Sequence, residues 1–191
     1  MATGIPAIIE HIESEFGKIE HGWASTQDSD NKLQIVECQN GRMPHCAVLC
    51  TLGLSNVQLD SAVSGKKIRQ ELFVMSKVGQ LDGKITAALD QISQERIDSK
   101  SAILRGDVIH KEGFLSSEGS FAAFYATLPI YFSQELWTIH DNHWGDIVFC
   151  WLLPIRKAEL GFIKANGWRA FEERLDRAKF DLFDFNRPDL V

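Results

Sequence analysis

Residues 145–155, GDIVFCWLLPI, are the most apolar run of a 191-residue chain. The run is too short to cross a bilayer as a helix, which takes about 20 apolar residues. Its length suits a strand buried on both faces, and such strands occur inside sheets covered on both sides. HCAVLCTLGLS at 45–55 makes the same demand with β-branched and small residues. IRQELFVMS at 68–76 places apolar side chains in both of its alternating sets and reads as a third interior strand. A chain with three such segments must build a central sheet and lay helices over it.

The helices are legible from steps of three and four. Ile5, Ile8, Ile9, Ile12, Phe16, Ile19 and Trp23 predict one over 4–23, capped by Thr3. Leu81, Ile85, Ala88, Leu89 and Ile92 predict another within 80–97. Pro154 has no N–H for a ladder and is expected to end the apolar strand. Arg156 to Ala165 then follow helical spacing, with Leu160 and Ile163 inward, and Asn166-Gly167 is a helix-stop signal. A last helix is expected from Trp168 to about Lys179, with Trp168, Phe171 and Leu175 on one side. Further strands are expected at 33–39, 120–132 and 136–141. Loops are expected at 25–32, 56–67 and 111–119. The tail FDLFDFNRPDLV is expected to pack back as an extended segment. With no internal repeat, this order predicts one α+β domain over 1–191, a mixed sheet covered by helices.

Composition narrows the function classes. Net charge is −6 and no basic block occurs, which disfavours direct nucleic-acid binding. Cys38, Cys46, Cys50 and Cys150 all lie in strand-like apolar runs with no Cys-x-x-Cys pair, the pattern of a reduced, cytoplasmic protein. MATGIPAIIEHIESEF has no basic start followed by an apolar stretch, so no signal peptide is expected. No membrane span is expected either.

The chemistry-bearing residues are few. His140, Asp141, His143 and Asp146 form the most metal-like cluster, the basis of an alternative reading as a metal-dependent enzyme. His-x-x-His at a strand end points its imidazoles apart, and the simpler reading is a polar loop between strands, with no metal. Trp137 and Trp144 flank that loop and suit a partner anchor or plain core packing. No Gly-x-Ser-x-Gly elbow, dinucleotide fingerprint or phosphate loop occurs, so no cofactor is expected. His11, His21 and His45 read as surface or edge residues. Glu172-Glu173 reads as a solvated pair on a helix exterior.

Three stretches in order resemble the suppressor-of-fused domain family. TLGLSN at 51–56, followed by RQELFVM at 69–75, is similar to its Gly-Leu-Ser and Glu-Leu strands. LLPIRKAELGFIKANGWRAFEERL at 152–175 resembles the Pro-Ile, Glu, helix and Gly corner of bacterial members. FNRPDLV at 185–191 resembles their Arg-Pro ending. The resemblance implies a mixed α/β domain without a catalytic site. It implies a protein partner, in bacterial members a toxin neutralised by an immunity protein. Animal members clamp a peptide between two domains. This chain matches the first alone, so the whole clamp does not carry over. Gly106-Asp107 is similar to the family's Gly-Asp, whose carboxylate helps hold a partner peptide; Asp107 also suits a turn. Asp107, Trp137, His140, Asp141, His143 and Trp144 are therefore the candidate partner-binding residues. A homodimeric scaffold is a third reading, and the sequence leaves oligomeric state open.

Overall fold

The computed structural model describes residues 5–25, 32–111, 121–140 and 145–191. Its elements run α1 (Ile5–Phe16), β1 (Ile19–Ala24), β2 (Gln34–Gln39), β3 (Cys46–Leu52), a 3-10 turn (Leu54–Asn56), β4 (Leu59–Asp60), β5 (Lys67–Lys77), α2 (Gly83–Ser99), β6 (Val108–His110), β7 (Phe121–Thr127), α3 (Gln134–Trp137), β8 (Thr138–Ile139), β9 (Ile147–Arg156), α4 (Lys157–Asn166) and α5 (Trp168–Asp176). Among the described residues the sheet has nine strands and the order β1-β2-β3-β5-β9-β7-β6, with β4 added to β5 and β8 to β9. β5 and β9 are parallel and their other pairings antiparallel, so the sheet is mixed.

The three apolar runs became β3, β5 and β9, adjacent in the middle of the sheet. Alternation along them splits the core in two. Cys50, Phe73, Met75, Tyr125, Trp151 and Leu153 face one side, covered by α1, α4, α5 and the tail residues Leu182 and Phe183. Leu49, Leu72, Val74, Phe124 and Leu152 face the other, covered by Ile85, Ala88, Leu89 and Ile92 of α2. Helices thus lie on both faces, as doubly buried strands require. Asp82 starts α2 by accepting from the N–H groups of Lys84 and Ile85 at 3.0 and 3.1 Å.

Several boundaries differ from the sequence reading. The first helix stops at Phe16 rather than running to 23, and Ile19 and Trp23 belong to β1. The cause is Gly17, with φ 94° and its N–H on the Glu13 carbonyl at 3.1 Å. A Cβ there would lie 2.1 Å from the Gln39 carbonyl oxygen. The strand expected at 136–141 is the short helix α3 followed by β8, and the loop expected at 56–67 contains β4. β9 runs through Pro154 to Arg156 instead of ending there. Its pairing with β5 extends only to Trp151, so Pro154 lies where β9 pairs with β7 alone and no donor is needed on the other side. Thr3 lies outside the described residues.

All four cysteines are free and buried. Burial pushes the Cys38 and Cys150 thiols up to about 12, so they stay protonated and unreactive. Among the described residues no helix is long and apolar enough to cross a membrane.

Candidate functional site

Among the described residues, the end of the sheet formed by β6 presents an open edge. The chain reaches it from α2 through a segment held by Gln70, whose amide donates to the Ile103 carbonyl at 2.6 Å and accepts from the Ile103 N–H at 2.9 Å. Gly106 follows at φ 96°, against the Trp168 ring, and a Cβ there would lie 2.9 Å from ring carbons. Asp107 is exposed and closes the turn: its carboxylate accepts from the Leu104 N–H at 2.8 Å, and its own N–H donates to the Leu104 carbonyl at 3.0 Å.

β6 then pairs with β7, Val108 opposite Tyr125, Ile109 opposite Phe124 and His110 opposite Ala123. The Ala126 N–H donates to the Asp107 carbonyl at 2.9 Å. Val108–Tyr125 is therefore a non-hydrogen-bonded pair, and the backbone groups of Val108 and His110 point away from β7. Among the described residues no strand covers that edge. An edge of this kind can accept an added strand.

A polar cluster buttresses the turn. Arg105 donates to both carboxylate oxygens of Glu172, its Nε at 2.8 Å from Oε1, and Tyr125 donates to the same Oε1 at 3.2 Å. Burial, then the Glu172 charge, pushes the Tyr125 hydroxyl up, so it remains a donor. Arg105 and Arg169 lie 5.8 and 5.4 Å from the Trp168 ring centre. Glu172 is thus buried and paired, contrary to its reading as a solvated neighbour of Glu173. The signal was present: Trp168, Phe171, Glu172 and Leu175 fall at i, i+3, i+4 and i+7, one helix face. Arg105, Tyr125, Trp168 and Glu172 were not among the sequence candidates.

Those candidates divide in space. Trp137 and His140 line one open depression of about 690 Å³ with His11, Gln134 and Glu135, and Asp107 is not part of it. The Trp137 indole donates to the Pro129 carbonyl at 3.3 Å and its ring packs partly on the core. His140 Nδ1 meets Asp146 at 2.9 Å, both side chains exposed. Asp141, His143 and Trp144 lie outside the described residues. Among the described residues no group of three or more His, Cys, Asp or Glu gathers to hold a metal.

His11 is less exposed than its sequence reading. Among the described residues its Nε2 is buried without a hydrogen-bond partner, and its ring sits 5.4 Å from Phe149. Burial holds its pKa below the usual value of 6.5. The unfolded chain therefore binds the proton first as pH falls, and His11 lowers stability from about pH 6.5 down to its folded pKa. Urea midpoints measured from pH 8 to 5 should decline more steeply for the wild type than for His11→Gln.

A mixed sheet with helices on both faces defines an α+β domain. The sequence profile of the family described as Suppressor of fused protein (SUFU) matches residues 29–188, and the chain belongs to that family. Solved structures share the fold. A suppressor of fused homologue from Neisseria gonorrhoeae FA 1090 is 20% identical with a TM-score of 0.75, over 98% of this chain and 96% of that one. The structure of the Sufu–Fu complex is 14% identical with a TM-score of 0.70, over 98% and 92%. Drosophila Suppressor of Fused is 14% identical with a TM-score of 0.59, over 83% of this chain and 42% of that one. No curated protein matches the chain.

Proposed function

We propose that the chain acts as one non-enzymatic protein-binding domain over 1–191, a cytoplasmic immunity protein that neutralises a toxin by covering its working surface. The observation that carries the binding reading is the open β6 edge, set rigidly by the Gly106–Asp107 turn and its Arg105–Glu172 buttress. The Sufu–Fu complex is a precedent for a protein partner in this fold. The toxin assignment rests on the likeness of the 152–175 and 185–191 stretches to bacterial members. A net charge of −6 would speed encounter with a basic toxin such as a nuclease.

The test is co-expression with each toxin-like gene product found beside the gene for this chain, together with binding of the purified pair. Wild type should restore growth. His110→Pro removes an N–H that points away from β7, so β6–β7 pairing survives while strand addition is blocked. Its affinity should fall at least tenfold, about 1.4 kcal/mol, at an unchanged melting temperature. Undiminished affinity of the folded variant would remove β6 from the interface.

A further inference from the structure

The opposite end of the sheet carries a second feature, on the face covered by α2. β1 is the terminal strand there, paired only with β2 among the described residues. Trp23 pairs across with Ile35, and Glu37 with Leu49, so these four side chains share one face. α2 does not extend over all of them. The result is an open groove of about 400 Å³, floored by Ile35 and Leu49 and walled by Trp23 and by Leu81 at the approach to α2. Both floor residues are 1% exposed, whereas Trp23 is 42% exposed. Trp23 is thus an aromatic ring held at the mouth of an apolar slot, stacked on His21 at 6.0 Å.

The groove's polar character has one sign. Glu37, Asp82 and Asp90 line it, and no Lys or Arg does among the described residues. Asp82 is tied to the α2 N-terminus by two backbone N–H groups, and Glu37 accepts from the Gln39 amide at 2.9 Å, so two of these carboxylates are held in place. The volume is right for one long side chain with its neighbours. An apolar slot with an indole at its mouth and carboxylates around it suits a planar cation on an aliphatic stem. Arginine has that chemistry: its stem lies on apolar surface, its guanidinium stacks on tryptophan, and its donors match carboxylate oxygens.

We propose that the groove between β1 and α2 binds an arginine side chain presented by an extended segment of a protein partner, with Trp23 stacking on the guanidinium and Glu37 and Asp82 supplying the opposite charge. The backbone edge of β1 beside Trp23 lets such a segment run along the strand. The inference does not depend on the toxin reading, since β1 and β6 are opposite ends of the sheet.

The test uses the full chain, amide and indole NMR shifts, and the peptide acetyl-Thr-Val-Arg-Val-Thr-amide at up to about 5 mM, a range that detects millimolar binding. Saturable shifts are expected at the Trp23 indole and along β1. Replacing arginine by uncharged citrulline should weaken binding at least tenfold, as should Trp23→Ala and, by conserving shape, Glu37→Gln. No shift at Trp23 with the arginine peptide, or equal shifts with citrulline, overturns the proposal. Shifts that persist in both variants overturn it as well. Self-association of the wild type that is lost in Trp23→Ala would assign the groove to a second copy of the chain and overturn the partner segment.

Discussion

Arg187→Ala is expected to destabilise the fold by about 3–5 kcal/mol, the cost of stranding one member of a buried ion pair. In a domain of this size that lowers the melting temperature by roughly 10 °C. The Arg187 and Glu159 side chains are 1% and 0% exposed. Arg187 donates to both Glu159 oxygens, to the Pro154 carbonyl at 3.2 Å and to the Pro188 carbonyl at 3.1 Å. Glu159 also accepts from the N–H groups of Arg156 at 2.8 Å and Leu190 at 3.1 Å. One ion pair thereby joins the end of β9, the first turn of α4 and the tail. Without the guanidinium, a buried carboxylate keeps two neutral donors and no opposing charge. Arg187→Lys restores the charge but not the fork of donors, and should recover only part of the loss. Urea denaturation checks both variants, and an Arg187→Ala variant within 1 kcal/mol of wild type would refute the role given to the pair.

Glu71→Ala should be comparably damaging, at about 3–5 kcal/mol, because each buried donor left unsatisfied costs about 1–3 kcal/mol and the segment relaxes in part. Glu71 is fully buried in the middle of β5. It accepts from the Thr51 hydroxyl, from the Gly53 N–H at 3.0 Å, and from the Ser55 N–H and hydroxyl at 3.1 and 2.6 Å. Thr51 in turn accepts from the Leu72 N–H at 2.8 Å. The Gly-Leu-Ser stretch is thereby fastened to β5. Glu71→Gln keeps the shape and one carbonyl acceptor, so its loss should be smaller, about 1 kcal/mol. Burial raises the Glu71 pKa, and the four hydrogen bonds oppose the shift. A raised folded pKa gives a contribution present in full below the unfolded value near 4.5 and lost as pH rises through the folded one. The wild type should therefore gain on Glu71→Gln as the pH is lowered toward 4.5.

Both residues were visible in the sequence as parts of quoted stretches, Glu71 in RQELFVM and Arg187 in FNRPDLV, but not as a reason for them. Their partners lie 16 to 20 and 28 residues away, and spacing along a chain does not report such pairings. The central strands were legible because burial on both faces leaves runs of apolar residues long enough to admit one explanation. α1 was read too long because Ile19 and Trp23 continue a step of three and four by chance. Only the approach of Gln39 to Gly17 reveals the break. β6 escaped because three residues carry no periodicity, and its pairing with β7 decides the matter. Asp107 was placed correctly at a turn, while the buttress behind it came from Tyr125 and Glu172, brought there by β7 and α5. The structure sets Trp137 and His140 together and apart from Asp107, a division that the sequence reading did not make.

On the proposed function, neutralisation works by occupancy of the toxin rather than by chemistry. The most direct measurement takes a toxin that the chain counters on co-expression, titrates it with the purified protein and follows residual toxin activity against molar ratio and time. Occupancy predicts a fall to zero at a fixed ratio of the two proteins, with no further loss on standing below that ratio. Complete loss of toxin activity at a small fraction of equivalence, progressing with time, would mean turnover and contradict the account.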